Sequence, residues 1–239
     1  MALDLRSFTP ARVALGRTGH SVPTAELLKF QLDHARARDA VFQELDPASL
    51  AIPHVLLRSS ARNRAIYLRR PDLGRCLSED SRALLHRGGY DRGDYDAAIV
   101  IADGLSATAV HHHAVPLLEA LMPRLEAEAW DLAPLTIVLQ GRVAVGDEIG
   151  ALLGARLVVM LIGERPGLTS PDSLGVYITW NPLPGRTDAE RNCISNVRSE
   201  GMPYGFAATK IHFLMREARA RKLSGVALKE DAPAELGNS

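Results

Sequence analysis

The sequence predicts an α/β fold: a Rossmann-like, doubly wound, mainly parallel sheet over residues 91–239, preceded over residues 1–90 by a helical and hairpin appendage suited to subunit contacts. Two observations carry this. The apolar runs at 97–102, 135–139 and 156–162 are nearly continuous instead of alternating, as strands buried on both faces require. Segments of helical spacing separate them, and strand-helix alternation of this kind builds a parallel sheet with helices on its faces.

Taken in order, Ser21, Val22, Pro23 and Thr24 form a helix start signal, and Leu27, Leu28, Leu32, Ala35, Val41, Phe42 and Leu45 continue it to about residue 45. Asp46 and Pro47 stop that helix. Apolar runs at 55–57 and 65–68 flank the polar stretch 58–64 in the manner of a hairpin, and Gly88 and Gly89 close the appendage. The strand at 97–102 runs into Asp103 and Gly104, with a helix over 106–130. A strand at 135–139, a helix at 145–153 and a strand at 156–162 repeat the unit. A further strand at 174–180 and a closing helix at 204–222 complete the domain. Ligands of such sheets sit beyond the carboxyl ends of the strands, which brings the turns at Asp103–Ser106, Gln140–Val143 and Gly163–Gly167 onto one rim.

Lysine plus arginine and aspartate plus glutamate each total 28, so the chain lacks the basic excess of a nucleic-acid binder. Its arginine groups carry acidic neighbours such as Asp39, Asp72 and Glu217, and suit a protein partner or a solvated face. Two cysteines, Cys76 and Cys193, are too few for a disulfide framework and fit a reducing compartment. Asp4 and Arg6 interrupt any leader-like apolar stretch, and the most apolar run, 157–163, is too short to span a bilayer. A cytoplasmic protein, off the membrane, is expected.

The sequence shows neither a glycine-rich dinucleotide fingerprint nor a phosphate-binding loop, and no nucleophile elbow follows a strand. Ser106 reads as a helix N-cap, with anion binding at that turn as the alternative. His111, His112 and His113 fall inside a predicted helix, where successive side chains point about 100° apart, so no metal site is expected of them. Glu164 closes the most apolar strand, where its carboxylate is partly taken from water. It faces either a ligand or an internal ion pair with Arg165 or Arg142. Cys193 lies in a polar segment unlike a strand or a core helix, and buried, inert cysteine is its ordinary reading. No convergent nucleophile and base can be picked out, so no catalytic residue is assigned. A nucleotide-holding or scaffold module is the competing class.

The runs Tyr67-Leu68-Arg69-Arg70-Pro71-Asp72-Leu73-Gly74-Arg75, Ile101-Ala102-Asp103-Gly104-Leu105-Ser106, Gly163-Glu164-Arg165-Pro166-Gly167-Leu168 and Cys193-Ile194-Ser195-Asn196 resemble, in order and at similar separations, the small subunit of ethanolamine ammonia-lyase. The resemblance covers about residues 5–225. It implies a carbon-nitrogen lyase that converts ethanolamine to acetaldehyde and ammonia by adenosylcobalamin-dependent radical chemistry. It also implies a hetero-oligomer in which a large subunit holds the substrate while the small subunit, inactive alone, covers the cofactor. Carried over residue by residue, the family's cobalamin contacts fall on Val143, Glu164 and Cys193. Encapsulation in a bacterial microcompartment is a further property of such lyases that the resemblance raises. No histidine stands in an Asp-x-His-x-x-Gly pattern, so the cofactor is expected to keep its own benzimidazole as lower ligand.

Overall fold

In the computed structural model, which describes residues 5–9, 11–90 and 93–228, the apolar runs form the middle of a six-stranded sheet. The strands β1 (Val55–Arg58), β2 (Ala98–Ala102), β3 (Thr136–Leu139), β4 (Leu157–Gly163), β5 (Leu174–Trp180) and β6 (Arg191–Val197) lie in the order β1-β3-β2-β4-β5-β6. The first four run parallel, and β5 and β6 extend the sheet in antiparallel fashion. The expected α/β class and mostly parallel sheet are thus observed.

Every residue of β2 and β4 is buried because both faces of the sheet are covered. Ile99, Ile101, Val159 and Leu161 point into a core shared with α4 (Ala107–Ala127) and α6 (Tyr204–Arg221). Their neighbours Ala98, Val100, Val158 and Met160 point into a second core with α5 (Val145–Leu153) and α3 (Glu79–Arg87). The alternation of side chains along a strand divides one apolar run between two cores. Ser106 caps α4 by accepting a hydrogen bond from the Ala109 amide at 3.2 Å, as its position in the sequence indicated.

Two segments differ from the sequence reading. The hairpin expected over 55–68 does not form. β1 pairs with β3 in the main sheet, and 64–69 is the helix α2 (Arg64–Arg69), whose N-cap Asn63 accepts from the Ile66 amide at 3.0 Å. The segment around Cys193, read as neither strand nor core helix, is the edge strand β6. Only Arg191, Ile194 and Val197 of its seven residues are buried, so the apolar signature of a strand is nearly erased. The first helix, α1 (Thr24–Phe42), ends three residues early at an extended Gln43, and Leu27, Leu28 and Leu32 on it are exposed.

Candidate functional site

The turns that follow β2, β3 and β4 meet at one end of the sheet, as the strand order requires. Asp103 joins two of them. Fully buried, its carboxylate accepts the Gln140 and Gly141 amides, each at 3.0 Å, which ties the end of β2 to the end of β3. Burial pushes its pKa up to about 6, against the pull of Arg64 and of the donated amides. Arg64 lies 3.6 Å from that carboxylate and donates to the Gly104 carbonyl at 2.8 Å. Tyr67, also buried, lies between the guanidinium groups of Arg64 and Arg142, at 4.9 and 4.4 Å from its ring centre, and donates to the Gly141 carbonyl. α2 therefore braces the rim from below. Composition and periodicity could not assign that task to Arg64 or Tyr67, because it depends on contacts with turns more than thirty residues away.

β4 joins the rim by close backbone approach. The Leu105 amide donates to the Gly163 carbonyl at 2.9 Å. A Cβ on Gly163 would stand 2.0 Å from the Ser106 carbonyl oxygen and 2.6 Å from that of Asp103, both rigid backbone atoms. Gly163→Ala must displace the Asp103–Ser106 turn, and such overpacking costs about 1–3 kcal/mol. A lower urea midpoint at unchanged m-value is expected; an unchanged midpoint would contradict this account of the rim.

Between these turns lies a cavity of about 400 Å³. Gly104 and Leu105 line it from β2, Arg142 and Val143 from β3, and Gly163, Glu164 and Arg165 from β4, with Tyr67 and Tyr177 on the other walls. A neighbouring cavity of about 640 Å³ shares Arg142, Val143 and Tyr177 and reaches Cys76, Arg186 and Arg191. Val143 is half-buried, packs on the second core and borders both spaces. Arg142 stacks on Tyr67, yet its buried Nε has no hydrogen-bond partner among the described residues.

Glu164 is held by three donors. The Ser195 hydroxyl donates to Oε1 at 2.5 Å, while the Ser173 hydroxyl and the Asn196 amide (3.2 Å) donate to Oε2. Among the described residues no ion pair joins Glu164 to Arg142 or Arg165, so the internal pairing raised by the sequence is replaced by hydroxyl and amide contacts. Cys193 stands opposite Tyr177 in the β5–β6 ladder and is solvent-exposed. Protein packed around one side of the sulfur raises its thiol pKa, the hydrogen bond with Tyr177 opposes this, and the charge of Glu164 adds to the rise. Val143 and Glu164 thus share one cavity, whereas Cys193 reaches it only through Tyr177.

The histidine run divides. His111 turns to the Asp46 amide at 3.1 Å, but His112 and His113 both approach Asp172, at 3.7 and 3.2 Å. A shared acceptor on a neighbouring loop brings together rings that helical spacing alone would separate. Among the described residues no helix is long and apolar enough to cross a membrane.

Comparison with known proteins adds to this geometry. The sequence profile of the ethanolamine ammonia-lyase light chain (EutC) family matches residues 1–229. A protein of Pseudomonas fluorescens (strain SBW25) named ethanolamine ammonia-lyase small subunit is 57% identical over 238 residues, spanning 96% of this chain and 86% of that protein. Proteins of the same name from Azotobacter vinelandii and Pseudomonas paraeruginosa are each 58% identical over 96% of this chain, spanning 88% and 87% of their own lengths.

Proposed function

This chain belongs to the ethanolamine ammonia-lyase light-chain family, and from that premise we propose that, as the small subunit of the lyase, it covers and positions adenosylcobalamin at an interface with a large subunit. The observation that carries the reading is the rim cavity, which sets the Glu164 carboxylate, the apolar Val143 and the Arg142 side chain around one space. A corrin ring bears a fringe of amides, whose N–H groups need acceptors and whose carbonyls need donors once they leave water. A carboxylate offers about four acceptor positions, and three donors of this chain already engage Glu164. The orientation is fixed and acceptor capacity remains. Arg142 supplies the matching donor.

Pockets for compact ligands hold them on most sides at about 300–1,000 Å³. Cobalamin exceeds either cavity here, so this chain supplies one wall and the large subunit the rest. When bound, adenosylcobalamin supplies the radical chemistry by which ethanolamine yields acetaldehyde and ammonia. The residues of this chain accept and donate hydrogen bonds at the cofactor's edge, with Val143 giving apolar contact and Cys193 a compact side chain beside Tyr177. None of them acts on the substrate.

The purified chain with ethanolamine and adenosylcobalamin is therefore expected to release no acetaldehyde, and adding the large subunit is expected to start the reaction. Acetaldehyde formation by the chain and cofactor alone would overturn the assignment of a purely positioning role.

A further inference from the structure

His112, His113 and Asp172 line neither cavity, and the cofactor reading gives them no task. His112 and His113 lie in the second turn of α4, and Asp172 lies at the end of the loop from β4 to β5. The Asp172 Oδ2 is 3.2 Å from His113 Nε2 and 3.7 Å from His112 Nδ1, and one ligand atom from each residue falls within 4.8 Å of the other two. Donors about 2.0–2.1 Å from a tetrahedral zinc ion stand about 3.3 Å from one another. Two of the separations are already near that value. The remaining adjustment falls to His112, whose side chain is 59% exposed and free to turn.

Tyr204 supplies a second, independent feature. Its hydroxyl is 2.8 Å from His113 Nδ1, across the ring from the nitrogen that faces Asp172. Metal-binding histidines are held in this way, with the outer ring nitrogen hydrogen-bonded so that the inner one is aimed at the ion. His113 is buried and fixed, Asp172 is partly buried, and the side of the group bounded by His112 opens to solvent.

We infer that His112 Nδ1, His113 Nε2 and Asp172 Oδ2 form a three-ligand site for a divalent transition ion of the zinc type, with its remaining position open to water. Two imidazoles and one carboxylate suit zinc, cobalt, nickel or copper and not the oxygen-seeking magnesium or calcium. Ion binding ties the β4–β5 loop, which begins at Glu164, to α4 and, through Tyr204, to α6. Binding at this group stands whether or not the cofactor reading holds.

The test is titration of the untagged, metal-free full chain with Co²⁺, followed by the visible ligand-field absorption, with Zn²⁺ as the displacing ion. One Co²⁺ per chain is expected. His112→Ala, at an exposed position that leaves the core untouched, and Asp172→Asn are each expected to weaken binding at least about tenfold, and Tyr204→Phe by roughly tenfold to a hundredfold. Replacing Cys76 and Cys193 together with serine should leave the affinity unchanged. Absence of saturable binding, affinity indifferent to both His112→Ala and Asp172→Asn, or binding lost with the cysteines would each overturn the site.

Discussion

Arg191→Leu is expected to destabilise the chain by about 3–5 kcal/mol, the usual cost of stripping one partner from a buried ion pair. Arg191 and Asp147 are each only 1% exposed, and Nη1 meets Oδ1 at 2.6 Å. The same guanidinium donates to the Thr179 hydroxyl at 3.2 Å and to the Arg186 carbonyl at 2.8 Å, so it locks α5 to β5 and to the turn before β6. Burial raises the Asp147 pKa and Arg191 opposes that rise. Without the arginine a carboxylate would stand alone in the core. The double variant Asp147→Leu with Arg191→Leu removes both charges, and it should lose less stability than the sum of the two single variants. Urea unfolding of the four proteins measures this; additive losses, or a loss below 1 kcal/mol for Arg191→Leu, would contradict a coupled buried pair.

Glu164→Ala is expected to weaken binding of cobalamin to the two-subunit complex by roughly tenfold to a hundredfold. A hydrogen bond to a charged acceptor contributes about 1.5–3 kcal/mol, and each tenfold in affinity corresponds to about 1.4 kcal/mol. Because Glu164 also receives Ser173, Ser195 and Asn196, Glu164→Gln separates the two tasks. It retains a carbonyl acceptor and should recover part of the affinity. Equilibrium titration by absorbance, with a thermal melt confirming the fold of each variant, provides the check. Unchanged affinity in a folded Glu164→Ala complex would confine Glu164 to cross-linking the β4–β5 loop with β6.

Most of the sheet was legible because its central strands are buried on both faces. The runs that became β2, β4 and β5, like the helix α5, stand within about one residue of where hydrophobic patterning set them. The edges were not. The apolar run 55–57 of β1 marked a strand but not its partner β3, while β6 buries three of its seven residues and shows no continuous apolar run. β1 joins the sheet through the distant β3 and β6 through the preceding β5, pairings that local pattern does not encode. The rim followed the same division. Strand ends placed the turns that hold Val143 and Glu164, and the family resemblance singled those residues out. The braces Arg64 and Tyr67, however, act across more than thirty residues of chain, and two of the three partners of Glu164 come from an edge strand the pattern concealed. For the histidine run, helical geometry separated side chains that Asp172, on another element, draws together.

The most direct measurement of the central claim is equilibrium binding of adenosylcobalamin to the large subunit alone, to this chain alone and to the two combined, followed by the cofactor's absorbance. If the rim of β2, β3 and β4 forms one wall of the site, tight binding is expected only in the combination, with each subunit alone weaker by at least about tenfold. Binding by the large subunit alone that equals that of the complex would contradict a cofactor-covering role for this chain.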